Sequence, residues 1–309
     1  IELNVNSFRF FDYKTNFMKK TFLFALIFSF LGFAQDDLLS EIDSVPQNQK
    51  VESAFKSLKI VNLESTKLAA KGDFYFVVAH RFGFVNNGFD DFFGLDNANT
   101  QLKFLYGVND WLTVHIARSG FQETYDAAAK YRLFSQGENN FPVTIVGFNS
   151  VAVNTELKEE DYPKLEFENR LSFATQILIS RKFSEKLSLE LAPTLFHENT
   201  LRDILDENNM VISPNPQDNT QYAIGIGGRY KLTKRWSFNI DYVAHLNRAN
   251  ESIYKNPLSI GFDLETGGHV FQMHFTNSQG IDEAGYLART SGNWNKGDVF
   301  FGFNLARVF

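Results

Sequence analysis

The sequence predicts an all-β chain, an antiparallel up-and-down transmembrane β-barrel of about twelve strands behind an N-terminal signal peptide. Three observations carry that reading. Long segments alternate polar and apolar residues with a period of two, and tight turns alternate with long polar loops. The third is 34 phenylalanines, 11 tyrosines and 3 tryptophans in a 309-residue chain whose mean hydropathy is -0.23. So much ring surface at negative mean hydropathy requires apolar and polar side chains mixed at very short range, as alternating strands mix them.

Composition removes other classes. The chain has no cysteine, which excludes disulfide scaffolds, thiol enzymes, iron–sulfur clusters and cysteine zinc sites. A net charge of -6 and a pI near 5.6 argue against a nucleic-acid partner, which needs a clustered basic surface.

At the N-terminus, Met18, Lys19 and Lys20 precede an apolar run from Thr21 to Phe33, and Gly32 and Ala34 are small residues where a signal peptidase would look. The run is shorter than the roughly 20 residues that a membrane helix needs. Residues 1–34 are therefore read as an upstream extension plus a cleaved secretory signal, and the mature chain begins at Gln35. Losing Arg9, Lys14, Lys19 and Lys20 against Glu2 and Asp12 takes the net charge from -6 to -8. Residues 35–71 follow as a periplasmic segment or partial plug, and residues 72–309 as the barrel.

The strands are placed near 72–82, 98–107, 111–119, 124–134, 142–153, 166–182, 186–198, 219–232, 235–247, 257–265, 268–277 and 298–309. The ninth shows the rule most plainly: Trp236, Phe238, Ile240, Tyr242, Ala244 and Leu246 alternate with Ser237, Asn239, Asp241, Val243, His245 and Asn247. Leu171, Phe173, Ile177 and Ile179 repeat it in the sixth strand, Leu187, Leu189, Leu191 and Leu195 in the seventh, and Phe271, Met273 and Phe275 in the eleventh. Segments of about ten residues suit tilted strands crossing a bilayer. The stretch 50–71, with AFKSLKIVNL inside it, leaves ten or fourteen strands as alternatives.

The connections give an independent signal. YGVNDWLTV at 106–114, RKFSEKLSL at 181–189 and YKLTKRWSF at 230–238 are strand, tight polar turn, strand. The intervening connections, 83–97, 153–165, 199–218, 248–256 and 278–296, are long and rich in Asn, Asp, Gly and Glu. Short turns on one rim and long loops on the other are the asymmetry of an outer-membrane barrel whose turns face the periplasm. Closure follows from the solvent, because each unpaired backbone amide in hydrocarbon costs several kcal/mol.

The apolar parity then faces lipid and the polar parity the interior. Tyr106, Tyr230, Trp236 and Phe309, beside short turns or the terminus, form the expected aromatic girdle. The inward parity carries a charge ladder of Arg81, Lys103, Lys130, Arg132, Glu168, Arg170, Glu190, Arg229, Asp241, Asp263 and His274, with Asp126, His115, His245 and Gln272. Charges there must pair or sit in water. Nearly balanced signs in a barrel of intermediate size predict a narrow lumen of weak ion selectivity.

HRFG at 80–83, FGLDNAN at 93–99, GGRYKLTKR at 227–235, NPLSIGFDLETGGHVFQMHFTNS at 256–278 and the ending FGFNLARVF resemble a family of Gram-negative outer-membrane β-barrel proteins of unknown function. The likeness runs from about residue 54 onward and implies a barrel in the outer membrane, with lipid and lipopolysaccharide as neighbours. It implies no reaction. Outer-membrane barrels also end in an aromatic residue read by the insertion machinery, a signal that Phe309, Leu305, Phe303 and Phe301 match and from which Arg307 departs. An arginine near the interface can snorkel.

Catalytic motifs are absent: no G-x-S-x-G, no P-loop and no H-E-x-x-H. GIGG at 225–228 lies inside a strand and reads as close packing. His269 and His274 fall on opposite faces, while His274 and His115 share the inward one. Asp90, Asp91 and Asp96 read as a solvated cluster with the chemistry to bind Ca²⁺ or bridge lipopolysaccharide. The expectation is thus a passive channel or small-solute barrel without cofactor or metal. The alternative is a non-conducting barrel whose long loops bind surface partners or lipopolysaccharide. An outer-membrane hydrolase using an outward or rim Ser/His pair ranks last, because no spacing singles out a nucleophile, and replacing Ser172, His245 and His274 is its test.

Overall fold

Strands with one apolar face and unpaired edges are stable in a membrane only if the last pairs with the first. In the computed structural model the first strand pairs antiparallel with the last, from Tyr75 against Val308 to Arg81 against Gly302, and closes a twelve-stranded barrel. The structure describes residues 51–309 except 52, 161, 163, 202–203, 206–210 and 214. The signal-peptide reading and residues 35–50 lie outside the described residues.

The wall comprises β1 (Phe74–Phe84), β2 (Ala98–Asn109), β3 (Leu112–Ser119), β4 (Thr124–Phe134), β5 (Thr144–Asn154), β6 (Leu171–Lys182) and β7 (Leu187–Glu198). It continues with β10 (Thr220–Lys231), β11 (Trp236–His245), β12 (Leu258–Thr266), β13 (His269–Thr276) and β14 (Phe300–Val308), every pairing antiparallel between sequential neighbours. Between β7 and β10 a separate ribbon, β8 (Ile204–Leu205) with β9 (Val211–Ser213), stands in the loop. The loop between β13 and β14 carries a short helix, α1 (Glu283–Ala288), capped by the Asp282 carboxylate accepting from the Gly285 N–H. Twelve strands set aside the alternatives of ten and fourteen, because the described residues before β1 do not join the wall.

Two features of the connections depart from the sequence reading. The sixth strand begins at Leu171 rather than 166, and Glu168 and Arg170 stand in a 3-10 turn. The Asn169 side chain accepts from the Glu166 N–H at 2.7 Å, and Arg170 donates to the carbonyls of Asn154, Thr155 and Leu157. Those bonds take the backbone out of the ladder. On the short-turn rim, β4 and β5 are joined by the longer connection 135–143, whose Gln136 carbonyl accepts from the Val51 N–H at 2.9 Å.

Outside the barrel wall, Ile116, Tyr125, Phe173, Tyr222, Ile226, Phe262 and Met273 are exposed on the outward parity, as lipid contact requires. The inward parity is not uniformly polar. Val146, Phe148, Ala174, Leu178, Ala192, Phe196, Ala223 and Val243, all on β5, β6, β7, β10 and β11, are buried in one cluster with Phe55, Ile60, Leu63, Leu68, Tyr286, Leu287 and Ala288. An apolar core therefore lies inside the barrel. It exists because two stretches of chain, 51–71 before β1 and the β13–β14 loop, give those walls protein instead of water to face.

Candidate functional site

The site is the lumen and what fills it. Residues 58–65 form a hairpin: Lys59 bridges Glu64, Ser65 donates to Leu58 O at 3.0 Å, and Ile60 donates to Leu63 O at 2.8 Å. AFKSLKIVNL supplies apolar residues for one side of it. Ile60 and Leu63 reach the β10 wall at Gly227 and Gly225, where a Cβ would lie 2.2 Å from Ile60 Cδ1 and 2.8 Å from Leu63 Cδ2. The glycines of GIGG are thus the holes for two knobs.

The rest of the hairpin meets charges. One Asp241 oxygen accepts from the consecutive N–H groups of Val61, Asn62 and Leu63 at 2.9, 2.7 and 3.0 Å. Arg81, fully buried, donates to Asn62 Oδ1 and Asn304 Oδ1, both at 3.0 Å. Gln272 donates to Ile60 O and Asp263 Oδ1, both at 2.9 Å, and Ser57 donates to the other Asp263 oxygen. Glu190 accepts from the Thr66 N–H at 3.0 Å.

Glu64 is the electrostatic centre. Lys130 lies 2.7 Å from one of its oxygens, and Lys59 and Lys103 lie 3.3 and 3.6 Å from the other. Burial works against the Glu64 charge, but Lys130, Lys59 and Lys103 outweigh it and hold the carboxyl well below the usual carboxylate range. Lys130 also donates to Leu58 O and Ser65 O, and His115 bonds Asp126 at 2.9 Å beside them. Lys59 extends the cluster towards the long-loop rim, donating to Ile281 O at 3.2 Å and standing 3.4 Å from Glu283. Burial opposes the Lys59 charge, and Glu283 and Glu64 reverse the balance and raise its pKa above the ordinary lysine value.

The long-loop side is closed by the β13–β14 loop. Tyr286 and Leu287 of α1 are fully buried, the Tyr286 hydroxyl accepts from Gln176 at 3.0 Å, and Arg289 pairs with Glu198 at the end of β7. The Asp282 carboxyl is pushed up to about 6, by burial first and then by Asp126.

Most of the ladder faces inward. Arg81, Lys103, Lys130, Glu190, Arg229, Asp241, Asp263 and His274 are buried there, and Arg132 keeps the inward parity at the short-turn end of β4. Glu168 and Arg170 do not belong to it: Glu168 is exposed and Arg170 holds the β5–β6 loop. His115 and His274 do not bond one another, since His115 is bound to Asp126 and neither ring nitrogen of His274 has a hydrogen-bond partner among the described residues. Nor does either histidine of the hydrolase reading bond Ser172, because His245 Nε2 is held by Gln221 at 2.7 Å. Tyr106 and Trp236 are exposed on the outward face beside short turns, Tyr230 is half-buried there, and the Arg307 guanidinium lies 4.5 Å over the exposed Phe309 ring. Lys59, Glu64 and Glu283 were not singled out by sequence. For Lys59 and Glu64 the signal is amphipathic character in the stretch 50–71, outside the strand count, and Glu283 lies in the long 278–296 loop, where nothing marks it.

Residues 55–309 match the family described as Membrane bound beta barrel domain (DUF5777). The chain belongs to that family. Among solved structures it is similar to the NanC porin, at 9% identity and a TM-score of 0.45, over 76% of this chain and 98% of that one. The KdgM porin matches at 7% identity and a TM-score of 0.45, over 77% and 99%. An outer membrane channel from Pseudomonas putida F1 matches at 16% identity and a TM-score of 0.43, over 79% and 97%. No curated protein matches. As a family member, the chain is a membrane-bound β-barrel whose described lumen is occupied by its own hairpin and loop.

Proposed function

We propose that this chain is an outer-membrane barrel for small solutes, closed at rest and opened along one wall of its lumen. The short-turn rim faces the periplasm on this reading, and the long loops face the cell exterior. The observation that carries it is the division of the lumen. The hairpin and α1 pack on the apolar wall of β5, β6, β7, β10 and β11, while a cavity of about 40 Å³ remains beside β1, β2, β13 and β14. That cavity shares Ser57, Leu58, Val270 and Ala306 with a vestibule of about 420 Å³ at the short-turn rim. Ile281 and the Lys59–Glu283 contact bound it towards the long loops. A passage there needs only that stop to move, with the apolar core left intact.

The test is conductance in planar bilayers. Wild type is expected to be silent or to open rarely, and the Ile281→Gly/Glu283→Gln variant to open often in discrete steps. A variant that migrates as a folded, heat-modifiable barrel yet stays as silent as wild type overturns the passage.

The apolar core favours a second reading, a permanently closed barrel that presents its long loops to surface partners or lipopolysaccharide. Deleting 199–218 would then abolish surface binding and leave the barrel folded. Neither reading assigns a reaction.

A further inference from the structure

The vestibule at the short-turn rim is electrostatically unlike the rest of the lumen. Inside, Lys59, Lys103 and Lys130 have Glu64, and Arg81 has the carbonyl oxygens of Asn62, Asn304 and His80. In the vestibule, Lys56 and Lys67 of the segment before β1 meet Lys234 and Arg235 of the β10–β11 turn around a cavity of about 420 Å³, with Glu265 as the carboxylate among its lining residues. Glu265 is already shared, 2.9 Å from Arg229 and 3.5 Å from Lys56. Lys67 makes no ion pair, donating to Lys56 O with its ammonium 6.0 Å from the centre of the Tyr75 ring, and Glu265 and Asp73 are the carboxylates that act on it. Burial first and then the Lys56 charge push the Lys67 pKa down, against the opposing pull of Glu265 and Asp73.

We propose that this vestibule is an anion site, taking the phosphate or carboxylate group of a small solute. The cations come from two separate elements that line one cavity, so an anion held in it meets charges from both. An arginine adds the fork that fits such groups in bidentate fashion. The volume lies within the range of about 300–1,000 Å³ typical of small-ligand pockets. The Gly267–Gly268 turn edges the cavity without side chains, and a Cβ at either glycine would meet open space, so the mouth admits a ligand wider than a bare ion. The site does not depend on the gate, because it opens at the rim whether or not Ile281 moves.

One chemistry has two sources here, a free anion or the headgroup of an anionic lipid. The full-length barrel, in nanodiscs of phosphatidylcholine alone and in nanodiscs containing phosphatidylglycerol, is titrated with inorganic phosphate by calorimetry. Lipid carried through purification is weighed by native mass spectrometry. A free-anion site gives saturable phosphate binding in phosphatidylcholine, weakened tenfold or more in Lys67→Gln/Arg235→Gln and weakened again by salt. A headgroup site gives retained phosphatidylglycerol that the same variant loses, and phosphate binding only where that lipid is absent. The single variant Lys234→Glu, in an exposed turn, gives the same direction if the double variant fails to fold. Phosphate binding and lipid retention both absent in wild type, or both unchanged in the folded variants, overturn the proposal.

Discussion

Glu64→Gln tests the electrostatic account of the lumen most directly. The change keeps the shape, exchanges one acceptor oxygen for a donor NH2, and removes the negative charge that faces Lys59, Lys103 and Lys130. Lys59 keeps Glu283 and two carbonyls, and Lys130 keeps Leu58 O and Ser65 O. Lys103 loses the carboxylate it pairs with. Taking away one partner of a buried ion pair costs about 3–5 kcal/mol, and the surviving contacts put the expected loss near about 3 kcal/mol. Urea unfolding in lipid vesicles, followed by the shift between folded and unfolded bands, measures it. The sign with pH is fixed by the depressed Glu64 value: the stabilisation is fully present above the unfolded value of 4.5 and is lost as pH falls through the lower folded value. Wild type and variant should therefore differ by the same amount at pH 7 and pH 5, and converge only at stronger acid. Adding Lys103→Met should restore part of the loss, since an apolar replacement of the whole pair is often neutral. A Glu64→Gln barrel within about 0.5 kcal/mol of wild type, the ordinary scatter of a surface change, would refute the reasoning.

Gly227→Val should cost about 1–3 kcal/mol by overpacking against Ile60 and make residues 58–65 accessible to protease, whereas valine at Gly267, which meets open space, should not. Asp282, with a folded value of about 6 against 3.8 unfolded, should hold the β13–β14 loop most firmly in acid and less firmly as pH rises through 6, by up to about 3 kcal/mol. Amide exchange across 281–290 between pH 4 and pH 7.5 checks this, and Asp282→Asn should flatten the trend. Phe309→Ser removes an exposed ring stacked by Arg307, worth about 0.5–1 kcal/mol. A large fall in assembled barrel in cells, with refolded stability nearly unchanged, would place Phe309 in insertion.

Nearly all of the wall was legible because a membrane strand repeats one rule at every second residue, and twelve segments obeyed it within a few positions. The start of β6 failed for a local reason. Glu168 and Arg170 continue the alternation of Ser172 and Gln176, and only the Asn169 side chain and the three carbonyls bound by Arg170 show that a turn has won. The lumen was harder. Treating every inward position as wet missed Val146, Phe148, Leu178, Phe196 and Val243. The signal was present in β5, where TIVGFNSVAV is apolar on both parities, the mark of a strand buried on two faces. What no periodicity shows is that the other partner is AFKSLKIVNL, which precedes the barrel and enters it.

The inward charges have a simpler cause than ion passage. An extended hairpin packed inside a barrel has no sheet neighbours on most of its length, yet each of its buried amides and carbonyls still needs a partner. The wall supplies them as side chains: Asp241 and Glu190 take N–H groups, and Lys130 and Gln272 take carbonyls. Balanced charge in the ladder is then no measure of ion selectivity, since Asp241, Glu190 and Lys130 meet peptide groups and Lys103, Arg229, Asp263 and Arg81 meet other side chains rather than solutes. The cations at the short-turn mouth, Lys56, Lys67, Lys234 and Arg235, line open volume instead and are the charges that the proposed anion site draws on.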